Sequence, residues 1–171
     1  MRDALIVDID GTLALGINKH RKAYEYNLCG EDKPNLFVMA LIDTWTHKYK
    51  DGIILFCSGR ENVTFPGKSK RKDKAYRKVV FNGKEHANCY DLTYHWLTFW
   101  LKMPKEKFDW KLYMRKEGDF SADSIVKKNM YHNYIEDNYF VHYVIDDRDQ
   151  VVRMWREELG MDVAQVAFGN F

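Results

Sequence analysis

The feature that most constrains this chain is a short apolar run that ends in acid: Leu5-Ile6-Val7-Asp8-Ile9-Asp10-Gly11-Thr12. Its apolar part predicts a buried strand over Ala4–Ile9. In an extended chain residues two apart face the same side, so Asp8 and Asp10 are expected to point into one place. Gly11 permits a sharp turn out of the strand. Two carboxylates side by side repel unless a cation or a shared proton relieves them. The chemistry this suggests is attack by one carboxylate on phosphorus, with the second handling the proton and Mg²⁺ holding the phosphate. The plain structural alternative is a strand followed by an ordinary Asp-Gly turn.

Two later apolar runs end in the same polar fashion. Ile53–Cys57 leads into Ser58-Gly59-Arg60, and Val141–Ile145 into Asp146-Asp147. Trp110–Met114 and Val163–Ala167 complete the predicted strands. Helical periodicity fills the intervals. One helix is expected after Pro34, with Phe37, Leu41, Trp45 and Tyr49 inward and Val38 and Ile42 beside them. A second is expected from His86 to Leu101 on Tyr90, Tyr94, Leu97 and Leu101. A third is capped by Ser121 and runs to about Asp137, and a fourth covers Arg148–Leu159 and stops at Gly160. Strands alternating with helices predict an α/β fold, a parallel sheet covered on both faces. Such sheets bind ligands beyond the carboxyl ends of their strands. Asp8, Ser58 and Asp146 each follow an apolar strand and are therefore expected to share a site.

At 171 residues the chain is read as a single domain, with a basic lid or insert at about 62–108. The net charge of +2 does not imply nucleic acid, but its distribution is uneven. Arg60, Lys68, Lys70, Arg71, Lys72, Lys74, Arg77, Lys78 and Lys84 face only Glu61, Asp73 and Glu85, a local excess of +6. Such a block is either a solvated face or a polyanion contact; it is expected to be a loop leading into a short helix. Cys29, Cys57 and Cys89 are scattered and odd in number, which suits a reducing compartment. Neither a membrane span nor a signal peptide is read, so a cytoplasmic location is expected. Gly67-Lys68-Ser69 resembles the end of a phosphate-binding loop, but Asn62 stands where that motif needs glycine, so a kinase is not expected. None of the six histidines is placed in the site.

These residues carry a resemblance. Asp8-Ile-Asp-Gly-Thr12, Ser58-Gly-Arg60, Lys127 and Asp146-Asp147 resemble the four ordered motifs of the haloacid dehalogenase phosphatase superfamily. Arg115-x-x-Gly-Asp119 with Asp123 and Val126-Lys127, Ile145-Asp-Asp-Arg-x-Gln-Val-Val-x-Met-Trp-Arg156, and the ending Gln165-Val-Ala-x-Gly-x-Phe171 look like the phosphatase domain of bacteriophage polynucleotide kinase/3′-phosphatases. No attached kinase domain is expected, and the stretch from Asn62 to about Asp109 is longer and more basic than that pattern. The resemblance implies Asp8 as nucleophile, Asp10 as general acid and base, and Lys127 as the lysine that neutralises phosphate. It implies Thr12, Ser58, Gly59 and Asp123 around the substrate, and Arg21, Arg60 and Arg115 as phosphate clamps. Mg²⁺ is expected on Asp8, the Asp10 backbone carbonyl, Asp146 and Asp147. Read without the resemblance, Lys127 is a surface lysine paired with Asp123, and one of Asp146 and Asp147 caps the following helix.

The expectation is thus a Mg²⁺-dependent phosphatase that removes a 3′-phosphate from DNA or RNA ends through an aspartyl-phosphate, in the cytoplasm or an infected host cell. The rivals are a small-molecule phosphatase such as a nucleotidase and a non-catalytic end-binding module. The oligomeric state carries no sequence signal.

Overall fold

The computed structural model describes residues 1–69, 74–101 and 108–169. In chain order the strands and α-helices are β1 (Arg2–Val7), β2 (Ala14–Leu15), β3 (Lys33–Pro34), α1 (Leu36–Lys48), β4 (Ile53–Glu61), β5 (Gly67–Ser69), β6 (Lys74–Tyr76), β7 (Val79–Phe81), β8 (Lys84–His86), α2 (Cys89–Trp100), β9 (Asp109–Arg115), α3 (Asp123–Met130), β10 (Tyr139–Asp146), α4 (Asp149–Arg153) and β11 (Val163–Gln165). Five of these strands form the central sheet, in the order β11-β10-β1-β4-β9. All four of its pairings are parallel.

Parallel strands need both faces covered, and the side chains divide accordingly. Leu5, Val7, Ile54 and Phe56 pack under α1 and α2 against Val38, Ile42, Trp45, Trp96 and Leu97. Ala4, Ile6, Leu55 and Cys57 pack on the other side under α3 and α4, against Val126, Met130, Val151 and Trp155. The predicted α/β architecture stands.

Several local expectations are corrected. β1 ends at Val7, so Asp8 and Asp10 lie in the turn beyond it rather than on one strand face. Pro34 belongs to β3; Asn35 caps α1 by accepting a hydrogen bond from the Phe37 N–H at 3.2 Å. With that start the inward stripe is Val38, Ile42 and Trp45, and Phe37 is exposed. Ser58-Gly59-Arg60 lies within β4, where the pairing to β9 slips between Ser58 and Glu61. In α2 the buried residues include Leu92, Thr93, Trp96 and Leu97, and Tyr94 faces outward. Ala122 rather than Ser121 stands at the α3 N-cap, and α3 widens into a π-helical turn over Tyr131–Ile135. Arg148 is the N-cap of α4, which continues as a π-helical turn over Met154–Glu158. β11 ends at Gln165.

Among the described residues, the basic stretch forms two antiparallel strand pairs, β5–β6 and β7–β8, in place of the expected loop and short helix. It builds a small core of its own, in which Val63, Phe65, Tyr76 and Val79 meet Tyr26 and Cys29. Gly67-Lys68-Ser69 is one arm of a hairpin and opens no helix, in keeping with the exclusion of a phosphate-binding loop. Lys70, Arg71, Lys72 and Phe171 lie outside the described residues.

Candidate active site

The carboxyl ends of β1, β4 and β10 meet at a cavity of about 270 Å³ lined by Asp8, Asp10, Gly59, Arg60, Asp123, Asp147 and Arg148, among others. Asp8 follows β1, and its N–H donates to the Ile145 carbonyl at 2.9 Å, which fixes it beside the end of β10. Lys127, one turn into α3, is buried beneath it. Its ammonium donates to Asp8 Oδ1 at 2.6 Å and to Asp146 Oδ2 at 2.9 Å. Asp123 Oδ2 stands 3.9 Å away. The surface-lysine alternative is therefore set aside. The Trp155 indole also donates to Asp146 Oδ2, at 3.3 Å, and Thr12 donates to Asp147 Oδ1 at 3.2 Å. Thr12 thus holds an acid of the candidate site.

One oxygen each of Asp8, Asp146 and Asp147 lies within 4.8 Å of the others, and all three residues are buried. Three carboxylates confront one ammonium there. Burial pushes the Asp8 carboxyl well up; Lys127 opposes this, and the neighbouring Asp146 and Asp147 add to it. Asp147 is pushed up to about 6 by burial and by Asp146. For Lys127 burial works against its charge, but Asp146 and Asp8 outweigh it and hold the ammonium protonated. Asp8 Oδ2 is buried and has no hydrogen-bond partner. An all-oxygen, acid-rich set with an unpaired carboxylate oxygen fits a hard divalent cation such as Mg²⁺. The Asp10 carboxylate is outside that group of oxygens.

Asp10 is instead held by arginines. Arg60 donates to it twice, at 2.8 Å each, and Arg21 once at 2.5 Å. Both arginines also grip Asp32, Arg21 at 2.7 and 2.6 Å and Arg60 at 2.8 Å. The result is a buried, charge-balanced square of two acids and two guanidinium groups. Burial alone pushes Asp10 up, but Arg60 and Arg21 outweigh it and hold its carboxyl far below the usual range. Thr93 of α2 accepts from Arg60 at 3.2 Å, and the Trp96 indole donates to the Asp32 carbonyl at 2.9 Å. Asp32 was missed in the sequence, where it is one more acid in a polar loop. The one signal is Gly16, whose β-carbon would collide with the Asp32 carboxylate. His20 is also closer than expected, 3.2 Å from Asp32.

The remaining predicted residues are placed as follows. Ser58 is fully buried, and its Oγ accepts from the Arg60 N–H at 3.1 Å. A β-carbon on Gly59 would strike the Asp123 carboxylate, so glycine leaves the space in which that carboxylate sits. Arg115 directs its guanidinium to the Gly59, Asp119 and Ser121 carbonyls, at 2.8, 3.2 and 2.6 Å, and to Asp123 at 3.3 Å. So engaged, it holds the loop before α3, and it also lines the cavity. Arg148, absent from the predicted set, lines the cavity with its Nη1 3.5 Å from Asp123.

The cavity thus brings together the Asp8 and Asp10 carboxylates, the Asp147 acid and the Arg60 and Arg148 guanidinium groups, with Lys127 buried beneath Asp8. The family described as the polynucleotide kinase PNKP phosphatase domain matches residues 2–171. The chain belongs to this family. It is a phosphatase domain of the haloacid dehalogenase type, with that family's five-stranded parallel sheet. Among relatives of PNKP phosphatase type, a candidate bifunctional polynucleotide kinase/RNA ligase of Autographa californica nuclear polyhedrosis virus is 29% identical over 155 residues, 90% of this chain and 18% of that protein. A solved structure of a Pnkp1/Rnl/Hen1 complex superposes with a TM-score of 0.73 at 29% identity, covering all of this chain and 48% of the other. A second, of the Pnkp1/Rnl/Hen1 RNA repair complex, gives 0.72 at 29% identity, covering 99% and 44%. The chain thus spans less than half of each of these three. Among the described residues no helix is long and apolar enough to cross a membrane.

Proposed function

We propose that this phosphatase domain removes the 3′-phosphate from a DNA or RNA end, with Asp8 as the nucleophile. The observation that carries the reading is Asp8 itself, buried at the head of β1 on Lys127, lining the cavity, with Oδ2 unpaired. An Asp8 oxygen attacks phosphorus, the bond from phosphorus to the 3′-oxygen breaks, and Asp10 supplies the proton to the departing oxygen. Water then attacks the aspartyl-phosphate, Asp10 takes its proton, and inorganic phosphate leaves with Asp8 regenerated. General acid–base help of this kind contributes about a hundred- to ten-thousandfold. Bound Mg²⁺, held by Asp8, Asp146, Asp147 and the Asp10 carbonyl, would neutralise the phosphoryl oxygens.

Free of substrate, Asp10 is ionised between Arg21 and Arg60. An incoming phosphate dianion competes for the same guanidinium groups and raises the proton affinity of Asp10. The two arginines thus serve the phosphate and set the acid by one movement. A polynucleotide substrate, as against a free nucleotide, is supported by the match to a PNKP phosphatase over nearly the whole chain and by the basic insert.

The test compares phosphate release from a 3′-phosphorylated oligonucleotide, a 5′-phosphorylated one, and 3′- and 5′-mononucleotides, with and without EDTA. Release confined to the 3′-oligonucleotide and lost in EDTA is expected; equal release from the mononucleotides makes this a nucleotidase. Asp8→Asn is expected to abolish turnover, and rapid quench should trap phosphate on the unaltered protein alone. Turnover retained in Asp8→Asn ends the covalent mechanism.

A further inference from the structure

The cavity has two unlike walls. One is ionic, with Asp8, Asp10, Asp147, Arg60 and Arg148; the other is apolar, with Ile17, Ala23, Tyr24 and Tyr26. All four apolar residues come from the segment between β2 and β3. A small phosphate ester needs only the ionic wall, whereas a nucleotide end presents a phosphate, a sugar and a flat ring, and the ring needs a flat apolar partner.

Tyr24 is the best placed of the four. It is only partly buried, while Tyr26 behind it is 3% exposed. The two rings meet edge to face, with centroids 6.3 Å apart and planes at 88°. Tyr76 of the first hairpin donates its hydroxyl to the Tyr24 carbonyl at 2.9 Å, and its own ring packs on Tyr26 and Phe65. The Tyr24 main chain is thus tied to the first hairpin and its ring rests edge to face on Tyr26 before substrate arrives, which lowers the ordering cost of a stacking contact. We propose that Tyr24 is the stacking platform for the nucleobase at the 3′-phosphorylated end, and so a specificity residue of this site. The inference rests on the 3′-phosphatase reading above. It also gives the hairpin insert a second task, the bracing of Tyr24, that does not depend on its basic residues.

The experiment measures KM and kcat for a 3′-phosphorylated oligonucleotide ending in a normal base and for the same oligonucleotide with an abasic last residue. Tyr24→Ala, Tyr24→Leu and Tyr24→Phe are compared with the unaltered protein. Stacking on an aromatic ring predicts that Tyr24→Ala and Tyr24→Leu raise KM for the base-ended substrate about tenfold relative to the abasic one, with kcat little changed. Tyr24→Phe should restore the difference. A loss shared equally by both substrates, or an unchanged KM ratio, overturns the proposal. Tyr24→Leu keeps much of the buried volume and guards against simple misfolding of Tyr24→Ala. A second measurement is independent of oligonucleotide turnover: inhibition of small alkyl phosphate hydrolysis by a 3′-mononucleotide should weaken about tenfold in Tyr24→Ala. Equal inhibition of both proteins overturns the stacking role. Absence of phosphate release from any oligonucleotide by the unaltered protein overturns the 3′-phosphatase reading instead.

Discussion

Asp32 carries Arg21, Arg60 and His20 on one fully buried carboxylate. Asp32→Asn leaves two guanidinium groups sharing Asp10, and removal of one partner from a buried ionic group costs about 3–5 kcal/mol. The expected outcome is a chemical-denaturation midpoint lowered to match and a kcat down at least about a hundredfold, the scale of lost acid–base help. A variant with full stability and rate would show that the square is dispensable. Asp147 gives a prediction of opposite sense. Its carboxyl is pushed up to about 6 from an ordinary 3.8, and Asp8 is also raised. The folded, metal-free protein therefore binds more protons than the unfolded chain between about 4 and 6, so its stability falls as pH rises through that window. In EDTA the melting temperature should drop from pH 4 to pH 6; excess Mg²⁺, which favours the ionised carboxylates of the folded state, should flatten or reverse the slope. An identical slope with and without Mg²⁺ removes these acids from the cation site. At this scale the sequence was legible where an apolar strand led directly to a side chain of the candidate site, as at Asp8 and Asp146. It was illegible at Asp32 and in the engagement of Arg115, because a polar loop residue gives no sign of what surrounds it.

The contact between β4 and α3 is governed by Gly59. Its missing side chain leaves the space occupied by the Asp123 carboxylate, which Arg115 and Arg148 also approach. Gly59→Ala is therefore expected to force α3 outward, at about 1–3 kcal/mol of overpacking, and to move Lys127 with it, so that activity falls as well. Asp123→Ala combined with Gly59→Ala relieves the collision. The double variant should recover stability beyond the sum of the single changes while staying impaired in activity. Strict additivity in thermal or urea denaturation would mean that the two side chains do not compete for space. The elements themselves were read well where periodicity and burial agree, as in the core strands. In α1 the buried stripe is Val38, Ile42 and Trp45, with Leu41 and Tyr49 partly buried beside it; both the Phe37-Leu41 row and the Val38-Ile42 row have helical spacing, and only packing on the sheet chooses between them. The insert was misread because strands of three residues are too short for alternation to declare itself, and charge alone resembles a solvated helix.

Across the whole molecule, the parallel sheet follows from alternating apolar runs and helices, and the site lies where such a sheet must put it, beyond the carboxyl ends of β1, β4 and β10. What local patterns could not provide is the long-range joining of Asp10 to Arg60, 50 residues apart. That joining has a consequence for the order of assembly. Neither guanidinium group can be buried until both acids are present, since a half-built square would strand an unpaired charge at a cost of several kcal/mol. The segment from β2 to β3, which carries Arg21 and Asp32, is therefore expected to dock and to lift off as one step. On warming, Arg21, Asp32 and the Tyr24 wall should leave together before the sheet melts, so phosphate release followed against temperature is expected to stop below the melting temperature of the fold.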